Sequence, residues 1–113
     1  MGEKVSIIIT NYNKSDYIKE AIESAINQTY KNVEVVIIDD CSTDNSFDLI
    51  QNYKEKYNNI VCIRNEQNRG VVYSRNLAIN KASGYYILPL DADDVIMDIG
   101  VLYRIWKIIY LSY

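Results

Sequence analysis

At 113 residues the chain has room for one domain and not comfortably for two. Its residues are 49% hydrophobic and 24% charged, an ordinary globular composition that argues against disorder. A net charge of −3 with no basic tract argues against nucleic acid as a partner, because binding a phosphate backbone needs a positive face.

The order of elements is strand and helix in alternation. Val5-Ser6-Ile7-Ile8-Ile9-Thr10 is apolar and β-branched, which predicts a buried parallel strand. Asn11 to Lys14 reads as a polar turn, and Ser15 and Asp16 suit a helix start. Tyr17, Ile18, Ala21, Ile22, Ala25 and Ile26 then recur at helical spacing. Val33 to Ile38 is a second apolar strand, broken by Asp39-Asp40-Cys41-Ser42-Thr43-Asp44, with Ser42 or Asp44 as a cap for the next helix. Phe47, Ile50, Tyr53 and Tyr57 line that helix. Ile60 to Ile63 is a short third strand, and Asn65 to Gly70 a polar loop. Val71, Ser74, Leu77, Ala78 and Ala82 suggest a third helix, stopped near Ser83-Gly84. Tyr85 to Leu90 is the fourth strand. From Val95 to Tyr113 the chain is almost all apolar, and it reads as a terminal helix that packs on the sheet or serves as an interface.

A βαβαβαβ order predicts an α/β fold, a mostly parallel Rossmann-like sheet with helices on both faces. Residues 1–95 form the α/β domain on this reading, and residues 96–113 a C-terminal packing or interface helix. Ligands of such sheets bind outside the carboxyl ends of the strands. Polar clusters stand at three of those ends: Thr10 to Asn13, Asp39 to Ser42, and Asp91-Ala92-Asp93-Asp94. The last has three carboxylates in four residues. With no histidine in the chain, that donor set is all oxygen and suits Mg²⁺ or Mn²⁺ better than Zn²⁺. Cys41 and Cys62 lack metal-type spacing and predict free thiols in a reducing compartment. The amino terminus runs straight into a strand, and no apolar run approaches the ~20 residues of a membrane span. These features predict a chain without a signal peptide, in the cytoplasm or peripheral at the inner face of the membrane.

Six segments in order resemble the inverting family 2 glycosyltransferases, which have the GT-A fold. They are Val5 to Asn13, Ser24-Ala25-Ile26-Asn27-Gln28-Thr29-Tyr30, Val36 to Asp44, Asn68-Arg69-Gly70, Ser74-Arg75-Asn76, and Asp91 to Asp94. The resemblance implies transfer of a sugar from a nucleotide-diphosphate sugar, UDP-linked by family expectation, to an acceptor hydroxyl in cell-wall or polysaccharide biosynthesis. It places Thr10 and Tyr12 beside the nucleobase, Asp40 as acceptor of a hydrogen bond from the uracil ring, and Arg75 near the nucleotide or bracing that acid. Asp91 faces the ribose, Asp93 binds the metal (Mn²⁺ or Mg²⁺), and Asp94 assists it or holds the loop. Gln28-Thr29-Tyr30 shapes a turn.

Family members also carry a second half with the acceptor site and a catalytic acid–base. No residue here matches that base, so the resemblance implies the N-terminal, donor-binding part, inactive in transfer by itself. The alternative is a non-catalytic nucleotide-binding module. A receiver-type signalling domain has a similar sheet, but its acid pair follows the first strand, and here that strand runs into Thr10-Asn11-Tyr12-Asn13. The apolar tail suggests self-association where the other half would pack.

Overall fold

The computed structural model describes residues 2–96 and Gly100. The elements are β1 (Val5–Asn11), α1 (Ile18–Ile26), β2 (Val33–Asp39), α2 (Ser46–Lys56), β3 (Ile60–Arg64), α3 (Val71–Lys81) and β4 (Tyr86–Asp91). The strands form one parallel sheet in the order β3-β2-β1-β4. The expected α/β class and parallel sheet are therefore present. The expected C-terminal helix lies outside the described residues, apart from Ile96 and Gly100.

β1 and β2 sit in the centre of the sheet and are apolar on both faces, as parallel strands covered on both sides must be. Alternation sends their side chains to two cores. Val5, Ile7, Ile9, Val35 and Ile37 meet Ile18, Ile22 and Ala25 of α1 and Ile50 of α2. Ile8, Val36 and Ile38 meet Ala78 of α3 on the opposite face. Each fully buried isoleucine contributes roughly 1.5–3 kcal/mol, so these two layers hold the sheet.

Each strand ends one residue later than its apolar run: Asn11, Asp39, Arg64 and Asp91 belong to the ladder. The ladder thus delivers polar side chains in fixed register, with Asn11 opposite Asp39 and Thr10 opposite Asp91. The start of α1 differs from expectation. Ser15 and Asp16 lie in a turn, and the helix begins at Ile18 with no side-chain cap on Tyr17. The turn closes through Lys14, whose carbonyl accepts from the amides of Tyr17 (3.0 Å) and Ile18 (2.9 Å). Asp44 serves the head of α2, its Oδ1 accepting from the Ser46 amide at 2.9 Å and from the Ser46 hydroxyl.

At the amino ends of the strands, buried Glu34 holds the turn between α3 and β4. It accepts from the Ser6 hydroxyl (2.5 Å) and from the amide (2.5 Å) and hydroxyl (3.0 Å) of Ser83, with the Lys4 ammonium at 3.6 Å. Burial alone would raise the Glu34 pKa, but these donors and the lysine together hold it below the usual glutamate value. Gly84 is squeezed against β1 there. A β-carbon on it would lie 2.5 Å from Ser6 Oγ and 2.6 Å from Ser6 N.

Candidate active site

β2 and β3 lie on one side of β1 and β4 on the other, so the direction of strand order reverses at β1. Diverging connections leave a crevice at such a point, above the carboxyl ends. A cleft of about 580 Å³ opens there, and Thr10, Tyr12, Asp40, Arg75, Asp91 and Asp93 all line it. Six of the seven residues singled out in the sequence thus share one cavity. The seventh, Asp94, joins through its carboxylate, since oxygens of Asp91, Asp93 and Asp94 lie within 4.8 Å of one another.

Asp40 is nearly buried, and most of its acceptor capacity is taken. Its Oδ1 accepts from Asn65 Nδ2 (2.9 Å) and the Arg69 amide (2.7 Å), and its Oδ2 accepts from the Gly70 amide (2.8 Å). A carboxylate offers about four lone-pair positions, so one on Oδ2 remains. The anion also stands at the amino end of α3, where the helix dipole favours negative charge. Gly70 completes the approach with φ +93°, a conformation costly for any other residue. Arg75 does not brace this acid. Its guanidinium donates to Asp91 Oδ1 at 3.3 Å, so the brace joins α3 to the end of β4.

The acidic turn is fixed from three sides. The Asp94 amide donates to the Asp91 carbonyl (2.9 Å), Ala92 is buried in the core beneath, and the Ile96 amide donates to Ser24 Oγ of α1 at 3.0 Å. Lys14 Nζ stands 3.7 Å from Asp93 Oδ2. Tyr12 is 45% exposed, with its ring available at the rim.

Several residues that the sequence analysis placed in the polar clusters without a role also shape the site. Asp39 is wholly buried and ties the loops together. Its Oδ1 accepts from Asn11 Nδ2 (2.8 Å) and the Ser42 hydroxyl (2.7 Å), and its Oδ2 from the Ser42 amide (3.0 Å), with Arg64 Nε at 3.5 Å. Asn13, at φ 53°, accepts on Oδ1 from the amides of Thr43 (2.8 Å) and Asp44 (3.2 Å). These bonds lock the loop carrying Tyr12 to the loop carrying Asp40. Val71, the first residue of α3, is 51% exposed and lines the cleft.

Residues 6–110 match the family model described as glycosyl transferase family 2. Among curated relatives, the chain is 48% identical over 92 residues to the UDP-Glc:alpha-D-GlcNAc-diphosphoundecaprenol beta-1,3-glucosyltransferase WfaP of Escherichia coli, a match covering 81% of this chain and 36% of that one. It is 45% identical over 96 residues to a poly(ribitol-phosphate) beta-glucosyltransferase of Bacillus spizizenii, covering 82% and 15%. Crystal structures of TarS residues 1–349 from S. aureus, in complex with UDP and with UDP-GlcNAc, superpose with TM-scores of 0.87 and 0.88 at 33% identity. They cover 96% of this chain and 32% and 31% of those chains. The chain therefore spans about a third or less of the length of these relatives.

Proposed function

Because this chain belongs to glycosyl transferase family 2, we propose that it is the donor-binding part of an inverting glycosyltransferase that uses a nucleotide-diphosphate sugar, with UDP as the nucleotide. The observation that carries the reading is the convergence of Thr10, Tyr12, Asp40, Arg75, Asp91 and Asp93 on one cleft at the reversal of strand order. The TarS complexes with UDP and UDP-GlcNAc support the choice of nucleotide.

Each residue has a task suited to its surroundings. Tyr12 offers an exposed ring for the nucleobase to stack on. Asp40 keeps one acceptor position on Oδ2, enough for the single imide N–H of uracil. Thr10, opposite Asp91 in the ladder, borders the base, and Asp91 turns toward the ribose while Arg75 steadies it. The donor set of Asp91, Asp93 and Asp94 is all carboxylate, closely spaced and exposed, which fits a hard divalent cation. Asp93 and Asp94 would be the chief holders of Mn²⁺ or Mg²⁺. That ion would neutralise the charge left on the diphosphate when the sugar departs.

On this reading no residue here matches the base that activates the acceptor hydroxyl, and the chain alone binds donor without transferring sugar. The acceptor in the name of WfaP is a lipid diphosphate, which supports work in the cytoplasm or at the inner membrane surface. Among the described residues no helix is long and apolar enough to cross a membrane. Self-association through residues 96–113, which apart from Ile96 and Gly100 lie outside the described residues, belongs to the same proposal.

Calorimetric titration with UDP, GDP and dTDP, each with and without Mn²⁺, tests the reading. UDP should bind most tightly and only weakly without the metal. Asp93→Ala should remove the metal dependence, and Tyr12→Ala should weaken every nucleotide by about 1–3 kcal/mol, the worth of one base–aromatic stack. Metal dependence that survives Asp93→Ala, or equal binding of all three nucleotides, would defeat the assignment.

A further inference from the structure

Two cations stand among the acids of the cleft, and each faces one carboxylate. Arg75 is hydrogen-bonded to Asp91 from a helix. Lys14 faces Asp93 from a loop at 3.7 Å, beyond hydrogen-bond length, with both side chains nearly half exposed. Its backbone is fixed. The Lys14 carbonyl anchors the start of α1, and the preceding Asn13 is stitched to Thr43 and Asp44. Only the four-carbon stem is left to swing, and both Lys14 and Asp93 line the cleft.

An exposed pair of this kind is weak, so Asp93 is not committed to the lysine. A divalent ion on the same carboxylates carries twice the charge of an ammonium and displaces it. We infer that Lys14 is an exchangeable counter-ion: it holds Asp93 in the free protein and turns to the diphosphate oxygens of the nucleotide once a divalent ion takes the carboxylate. Lysine suits the second role because it binds phosphate as a point charge that needs no fixed geometry. The step exchanges ion pairs and breaks no bond. It rests on the donor-binding reading and adds a diphosphate ligand from the loop after β1.

The test titrates the full 113-residue chain with Mn²⁺ alone, and then with UDP in saturating Mn²⁺. The variants are Lys14→Met, Lys14→Arg, and Lys31→Met as a charge control at the amino end of β2. Lys14→Met should tighten Mn²⁺ alone about two- to fivefold, the size of a lost exposed ion pair, and weaken UDP by a similar factor. Lys14→Arg should restore UDP binding, and Lys31→Met should move neither. Opposite signs are the signature, because a damaged fold weakens both. Shifts of one sign, no shift, or an equal effect of Lys31→Met overturns the exchange while leaving wild-type donor binding in place. A wild-type chain that binds neither Mn²⁺ nor UDP overturns the donor-binding reading and the exchange together.

Discussion

Replacing Asp40 by asparagine should destabilise the protein with no nucleotide present. The substitution keeps the shape and removes the charge. With the amide oxygen at the Oδ1 position, Asn65 Nδ2 and the Arg69 amide keep an acceptor. The NH₂ group then faces the Gly70 amide, donor against donor. One charge-assisted bond is lost, worth about 1.5–3 kcal/mol, and the two survivors weaken toward neutral strength. The favourable charge at the amino end of α3 disappears as well. Because the Arg69 and Gly70 amides are only partly buried, the net loss should be about 2–3 kcal/mol. Urea unfolding followed by circular dichroism measures it, and thermal unfolding should show a fall of roughly 8–12 °C for a chain of this size. Hydrogen exchange should quicken at the Arg69 and Gly70 amides. A loss below about 0.5 kcal/mol with unchanged Gly70 protection would refute the clamp. The result also decides how a nucleotide titration of this variant is read, since weakened UDP binding would come partly from a loosened 65–70 loop.

Gly84→Ala should cost about 3 kcal/mol, the upper end for overpacking, because the new methyl meets the Ser6 backbone nitrogen, which cannot rotate away; urea unfolding reads it. The depressed Glu34 pKa gives stability that is complete above its unfolded value of ~4.3 and is lost as pH falls through the lower folded value. Glu34→Gln should therefore flatten the acid limb of stability against pH, and an unchanged limb would remove Glu34 from the account. Ser24→Ala frees the Ile96 amide and should lower stability by about 1 kcal/mol. It should also lower metal-dependent UDP affinity more than metal-free affinity, which calorimetry with and without Mn²⁺ separates.

The strands were legible because β-branched apolar runs in β1 and β2 have few alternatives to a buried parallel sheet. The cleft was legible because polar clusters follow those runs and the alternation of elements forces their ends to one side. The division of labour within the clusters was not. Asp39 and Asp40 are adjacent in sequence, yet one is a sealed brace and the other lines the cleft. In a strand buried on both faces, no pattern of polarity tells which acid points where. The partner of Arg75 was equally hidden, since only the placement of α3 over β1 and β2 brings it to Asp91. The tie between Ser24 and Ile96 spans 72 positions and leaves no local signal.

The place of β1 between β2 and β4 governs the order in which the chain becomes a protein. β1 gains its first neighbour once residue 39 is made, and its other edge stays open until residues 86–91 follow. Synthesis at about 5–20 residues per second leaves that edge exposed for roughly 3–10 s. An open apolar edge in a nascent chain invites pairing with a neighbour. The same delay means that Asp91 to Asp94 arrive with β4, so any cation that belongs to them can be captured only after β1, β2 and β3 have been made.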